Sequence, residues 1–174
     1  MSTSLVQRAA GFIQDVPDYP TPGVVFKDIT PLLANGPMFA EVVAHLAALA
    51  PPVDVVVGME ARGFILGAPV AIALGAGFVP VRKEGKLPRR TLAGAYDLEY
   101  GSAVLEVHAD TLARGARVLI VDDVLATGGT AAATVELLER AGAVVVGLSF
   151  LMELTFLEGR TRLAARTVDT LLTY

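Results

Sequence analysis

The chain has 174 residues with 14 basic and 18 acidic side chains, a formal net charge of −4, and no cysteine. The acidic balance argues against a general nucleic-acid binder, and the missing thiols exclude disulfides, thiolate metal sites and thiolate nucleophiles. A hydrophobic fraction of 53% against 18% charged points to a single domain over residues 1–174, able to bury roughly 70% of its unfolded surface.

The first segment, Ser4 to Ile13, reads as a short amphipathic helix capped by Ser2 or Ser4. Gln7, Arg8, Gln14 and Asp15 are too polar for a signal peptide, and with the absent cysteines they fit a cytoplasmic protein. Asp15 to Pro31 reads as a loop punctuated by Pro17, Pro20, Pro22, Gly23 and Pro31. Pro37 to Leu49 carries apolar residues at helical spacing and opens on a proline in its first turn. Asp54 to Gly58 is a short buried strand, and Phe64 to Leu74 a helix apolar almost all round, so expected in the core or at a subunit interface. Strands follow over Phe78 to Arg82 and Ala103 to Val107. The last are Arg117 to Val121 and Val144 to Met152, with a helix ending at Arg140 between them. The apolar run Leu66 to Val81 is broken by Gly67, Pro69, Gly75 and Gly77, so no membrane span is expected. Strands alternating with helices predict an α/β fold: an open, mainly parallel sheet with helices on both faces. Residues 1–35 and 153–174 lie outside the alternation and are expected to form a small hood.

The most informative stretch is Val118 to Thr130, VLIVDDVLATGGT. It begins as an apolar run of the kind found in strands buried on both faces. It continues through Asp122 and Asp123 into a loop of small residues, Ala126, Thr127, Gly128, Gly129 and Thr130, and then a helix. Ligands of open α/β sheets sit beyond the carboxyl ends of the strands. A glycine-led helix N-terminus presents unpaired N–H groups and a positive dipole end, which suits phosphate. The two carboxylates, expected to face solvent, repel a phosphate and are suited to adjacent hydroxyls, such as those of a ribose. A second strand–loop–helix corner, Val57 to Phe64, brings Glu60, Ala61 and Arg62 before Gly63 and could hold another phosphate group. Five of the 14 basic residues (Arg82, Lys83, Lys86, Arg89, Arg90) crowd one nine-residue window.

This thirteen-residue run resembles the phosphoribosyl diphosphate (PRPP) motif of the type I phosphoribosyltransferases. From Phe12 to Tyr174 the chain is similar to their adenine phosphoribosyltransferase branch. The resemblance implies transfer of a 5-phosphoribosyl group from PRPP to adenine, giving AMP and diphosphate. Asp122 and Asp123 would hold the ribose hydroxyls, Ala126 to Thr130 the 5-phosphate, and the corner at Glu60, Ala61 and Arg62 the diphosphate, often through a cis peptide. Residues 82–95 look like the family's mobile loop, closing Lys83 and Lys86 onto the diphosphate. Glu99, in Leu-Glu-Tyr-Gly, becomes the residue that manages the imidazole proton, with Lys83 and Arg62 beside it in catalysis. Pro22 to Pro31 resembles the adenine-recognition segment, in which Val25 and Lys27 read the purine edge and Phe26 packs on its ring, with Leu154 closing the other side. Lys27 stands where Arg is also common and Glu60 where Asp or other residues occur, and both keep the charge. The resemblance further implies magnesium carried by PRPP with no metal ligand from the protein, and a homodimer with no nucleic-acid or membrane partner. A transferase for another purine base and a PRPP-sensing regulator are the alternatives; the latter usually carries an added DNA-binding domain or a basic RNA-binding face.

Overall fold

The computed structural model describes residues 4–98 and 101–174, without the side chains of residues 96–98, 101 and 102. The chain divides into two compact units, residues 1–45 and 46–174.

The first unit opens with helix α1 (Leu5–Ala10), whose N-cap Ser4 and Gln7 form a reciprocal capping box. The stretch expected to be a loop instead holds an antiparallel hairpin, β1 (Gln14–Pro17) and β2 (Val25–Asp28), in register from Gln14 opposite Asp28 to Pro17 opposite Val25. Prolines mislead here because Pro17 ends its strand and Pro20 and Pro22 lie in the connection, where no ladder hydrogen bond is required of them. Across the hairpin Lys27 Nζ reaches Asp15 Oδ1 at 2.6 Å, and the rings of Tyr19 and Phe26 meet edge to face at 5.2 Å. A short helix α2 (Thr30–Ala34) follows, with Pro31 in its first turn, and then α3 (Gly36–Leu49), which runs across the unit boundary.

The second unit is built on a seven-stranded sheet. Its strands are β3 (Val55–Met59), β4 (Gly77–Lys83), β5 (Thr91–Leu98), β6 (Gly101–His108), β7 (Arg117–Leu125), β8 (Val144–Glu153) and β9 (Val168–Thr173). They are ordered β5-β6-β4-β3-β7-β8-β9. The five strands from β4 to β9 run parallel, and β6 and β5 add an antiparallel flank. Of the residues expected in a hood, Val168–Thr173 extend this sheet alongside β8.

Two helices cover the sheet, α4 (Arg62–Leu74) and α5 (Gly129–Arg140). Successive strand residues face opposite sides, and β3 shows the division. Val57 and Met59 belong to the core that includes Val135, Leu137 and Leu138 of α5. Gly58 lies against α4: a Cβ there would stand 2.7 Å from the Gly63 carbonyl oxygen and 2.8 Å from the Phe78 ring. Small residues at that crossing let α4 settle close to the strand ends. The nearly all-apolar pattern of α4 is buried at Leu66, Val70 and Ala71, whereas Ile72 is 82% exposed. Residues 91–95, expected within a mobile loop, are strand: β5 pairs with β6 over its whole length, from Thr91 opposite His108. The connection from β4 thereby shrinks to residues 84–90.

Candidate active site

The carboxyl ends of β3 and β7 border a cleft of about 290 Å³ in the second unit. It is lined by Glu60, Ala61 and Arg62 on one side and by the continuous run Asp122 to Ala131 on the other, over Met59 and Phe150. Every residue expected to hold the ribose 5-phosphate therefore shares one cavity with the corner expected to hold diphosphate. The peptide between Glu60 and Ala61 is cis, as the resemblance implied.

The small-residue loop is shaped by backbone constraints. Gly128 adopts φ +77°, which favours glycine, and serves as the N-cap of α5. The first turn closes with Ala132 N donating to the Gly128 carbonyl at 2.9 Å. The N–H groups of Gly129, Thr130 and Ala131 thus precede the helical ladder, in the position that binds anions. Thr134 fixes this turn to the sheet, its hydroxyl donating to Thr130 O at 2.8 Å and lying 3.1 Å from Met59 Sδ. From below, Gly159 presses so closely on Ala126 and Gly128 that neither glycine has room for a Cβ. Gly159 escapes sequence reading because it lies outside the motif, in a turn with no periodicity of its own.

The two aspartates differ in setting. Asp123 is 3% exposed, contrary to the expectation that both face solvent, and Arg62 Nε lies 3.0 Å from its Oδ2. That oxygen is buried and receives no aligned hydrogen bond. Asp122 is half-buried and accepts from the Asp123 N–H at 2.9 Å. Burial raises both carboxyls above the ordinary range. For Asp122 the second cause is repulsion from Asp123, whereas Arg62 opposes the rise at Asp123. Gly63 belongs to the same structure: a Cβ on it would stand 2.8 Å from both Asp122 Oδ1 and the Val121 carbonyl.

Glu60 is the charge centre of the opposite wall. Its Oε1 accepts from Lys86 Nζ at 2.8 Å and Arg82 Nη2 at 3.2 Å, and its Oε2 accepts from the Lys83 N–H at 3.0 Å. Burial raises the carboxyl, but the bonds from Lys86, Arg82 and the Lys83 backbone outweigh it and lower the pKa to about 2. Lys83 and Lys86 are brought to Glu60 in this way but do not line the cleft.

The remaining expected site residues belong to other elements. Val25, Phe26 and Lys27 form β2 of the N-terminal hairpin, where Phe26 lines a shallow hollow with Val16, Tyr19 and Asp28. Leu154 follows β8, its N–H donating to Leu125 O, while the carbonyl of Glu153 already accepts from Tyr174 N. Arg160, which no motif singles out, clamps this end: it bonds Glu153 Oε2 at 2.7 Å and the Val168 carbonyl at 2.8 Å. Glu99 lies outside the described residues. Among the described residues there is no cluster of three or more His, Cys, Asp or Glu able to hold a metal, and no helix long and apolar enough to cross a membrane.

Residues 33–167 match the family model described as phosphoribosyl transferase domain. This chain belongs to the phosphoribosyltransferase family. Curated relatives called adenine phosphoribosyltransferase include one from Nocardioides sp., 61% identical over 97% of this chain and 94% of its own. Another, from Streptomyces coelicolor, is 63% identical over 92% and 90%. Among solved structures, the adenine phosphoribosyltransferase of Rhodothermus marinus superposes with a TM-score of 0.93 at 51% identity, over 98% of each chain. The Saccharomyces cerevisiae enzyme, crystallised with an imino-altritol bisphosphate and adenine, gives 0.90 at 40% identity over 96% of this chain and 98% of that one. The cleft at β3 and β7 is thus set in a fold common to adenine phosphoribosyltransferases.

Proposed function

We infer that this protein is an adenine phosphoribosyltransferase, transferring the 5-phosphoribosyl group of PRPP to adenine with release of diphosphate. The observation that carries the reading is one cleft lined by an anion-binding loop, a carboxylate pair and a second phosphate-type corner. A ligand that combines a phosphate, vicinal hydroxyls and a diphosphate suits that set of groups. The loop N–H groups of residues 126–130 hold the 5-phosphate. Asp123 and its neighbour Asp122 accept the ribose hydroxyls. Arg62 and Ala61, joined by Lys83 and Lys86, take the diphosphate.

Chemistry on such a ligand needs orientation and charge stabilisation more than a nucleophile of the protein's own. The carboxylates fix the sugar so that the carbon bearing the diphosphate presents its opposite face to the incoming base. Cations on the leaving side stabilise the charge that develops there. Val25, Phe26, Lys27 and Leu154 recognise the base, and Glu99 handles the imidazole proton. Magnesium is carried by PRPP itself, with no ligand from the protein, and when bound neutralises diphosphate charge. We place the protein in the cytoplasm as a homodimer. Diphosphate release measured with PRPP and each free purine base tests the reading. Adenine-dependent release supports it; release with hypoxanthine or guanine alone selects a different purine transferase, and no release with any base leaves the PRPP-sensing role.

A further inference from the structure

The cations that the proposed function assigns to diphosphate also have carboxylate partners within the protein. Arg62 sits against Asp123, and Lys86 against Glu60, each pair linking a base to a carboxylate that lines the same cleft. The Glu60 pair is the more elaborate. Arg82 bridges it, donating from Nη2 to Glu60 and from Nη1 to the carbonyl of Lys86 at 3.1 Å. The Arg82 guanidinium also stands over the Phe64 ring at 6.0 Å. Glu60 is 10% exposed, while the Lys86 side chain is 49% exposed and on a connection between strands. One partner is therefore fixed in the wall and the other is free to leave.

A different carboxylate anchors that connection independently. Glu106, 9% exposed, accepts from Gly85 N–H at 3.0 Å and from the Thr91 hydroxyl at 3.2 Å, at the two ends of the connection. Both donors are neutral, so Glu106 holds the connection without engaging a cation that the diphosphate needs. The Lys86–Glu60 contact is charge-assisted on both sides, and its carboxylate belongs to a residue that lines the cleft.

We propose that Glu60 is a positioning residue that holds Lys86 at the cleft rim as a stand-in for diphosphate, and surrenders it when diphosphate binds. This rests on the reading of the cleft as a diphosphate site. The ion pair keeps the long lysine side chain ordered near its destination. It also sets an internal competitor that any ligand anion must displace, so Glu60 weakens diphosphate binding and eases its departure.

Calorimetric titration with inorganic diphosphate and magnesium, on the wild type, Glu60→Gln, Lys86→Gln and the double variant, tests the proposal. Glu60→Gln is expected to bind roughly fivefold tighter, the equivalent of a partly exposed ion pair. That gain is expected to vanish in the Lys86→Gln background. Unchanged or weaker binding by Glu60→Gln overturns the proposal, as does an equal gain with Lys86 removed, which indicates simple loss of a negative charge. If Lys86→Gln alone leaves the affinity unaltered, the assignment of Lys86 to diphosphate falls and the stand-in role with it. If Lys86→Gln weakens binding but Glu60→Gln fails to tighten it, only the stand-in role falls. A second readout uses wild-type protein labelled with carboxyl-13C glutamate: the Glu60 signal is expected to move as diphosphate saturates the cleft, and a fixed signal contradicts the exchange.

Discussion

Gly159 lies under the phosphate loop in backbone contact with Ala126, and a side-chain carbon on it would collide with the Ala126 carbonyl. The obstacle is backbone rather than a flexible side chain, so the loop or the 159–163 turn has to shift. Gly159→Ala is expected to lower kcat/KM for PRPP at least tenfold while costing about 1–3 kcal/mol of stability. Steady-state kinetics beside a urea melt checks this. Wild-type kinetics would show that the loop's position is not set from below.

The aspartate pair is expected to trade stability for binding. Asp122 is raised by burial and by Asp123, so between the unfolded carboxyl pKa near 4 and its raised native value the folded state holds more protons. Stability is then fully present below the unfolded pKa and falls as pH rises through the native one. Asp122→Asn abolishes that loss, and its Oδ1 can still accept from the Asp123 N–H. The variant is expected to melt about 2–4 °C higher than wild type at neutral pH for each 1 kcal/mol of repulsion removed. It is expected to lose catalytic efficiency by about 1.5–3 kcal/mol through the missing charge-assisted bond to a hydroxyl. Asp123→Asn weakens the ion pair with Arg62, so it is expected to gain less stability. Melting curves across pH 4–8 for both variants decide the matter, and a lower melting temperature for Asp122→Asn at neutral pH contradicts it.

Glu60 titrates in the opposite sense. Its folded pKa of about 2 lies below the usual carboxylate value, so its stabilising bonds are fully present above pH near 4 and are lost as pH falls toward 2. Glu60→Gln is expected to flatten the acid limb of the stability curve between about pH 4 and 2. Denaturant melts over that range check it; an acid limb identical to wild type removes Glu60 from the account.

The phosphate loop and the parallel strands β3, β4, β7 and β8 are legible in the sequence because each depends on a local pattern. Apolar runs mark the parallel strands, and the Asp-Asp pair before small residues marks the turn into α5. The hairpin β1–β2 is hidden because its prolines occupy its end and connection, where they need no partner. The partners of the charged residues are equally hidden. Nothing near Glu60 in sequence announces Arg82 and Lys86, more than twenty residues on, and nothing near Glu153 announces the role of Arg160. β5 is missed because its charged approach, Arg89 and Arg90, hides the start of a strand that gains its stability only from β6.

The 84–90 connection is anchored at Glu106, which makes its mobility testable. Trypsin is expected to cut after Lys86, Arg89 or Arg90 in the free protein and more slowly with a PRPP analogue and magnesium. Glu106→Ala, which frees both Gly85 and Thr91, is expected to speed cleavage several-fold without ligand, while Glu106→Gln keeps an acceptor for one of them and cuts closer to the wild-type rate. Equal rates in all three proteins would remove Glu106 as the anchor.

The choice of base separates this protein from transferases of the 6-oxopurines. Related 6-oxopurine enzymes typically place a lysine beside the base's oxygen, in the region after the PRPP motif. Here no lysine follows Lys86 anywhere in the chain. A pocket built on hydrogen bonds to an amino edge leaves buried groups unpaired when a carbonyl takes that place, and such sites discriminate by factors on the order of 10⁴. The deciding measurement is the ratio of kcat/KM for adenine to that for hypoxanthine at saturating PRPP and magnesium. The account predicts a ratio of about 10³ or more; a ratio near one, or a preference for hypoxanthine, contradicts it.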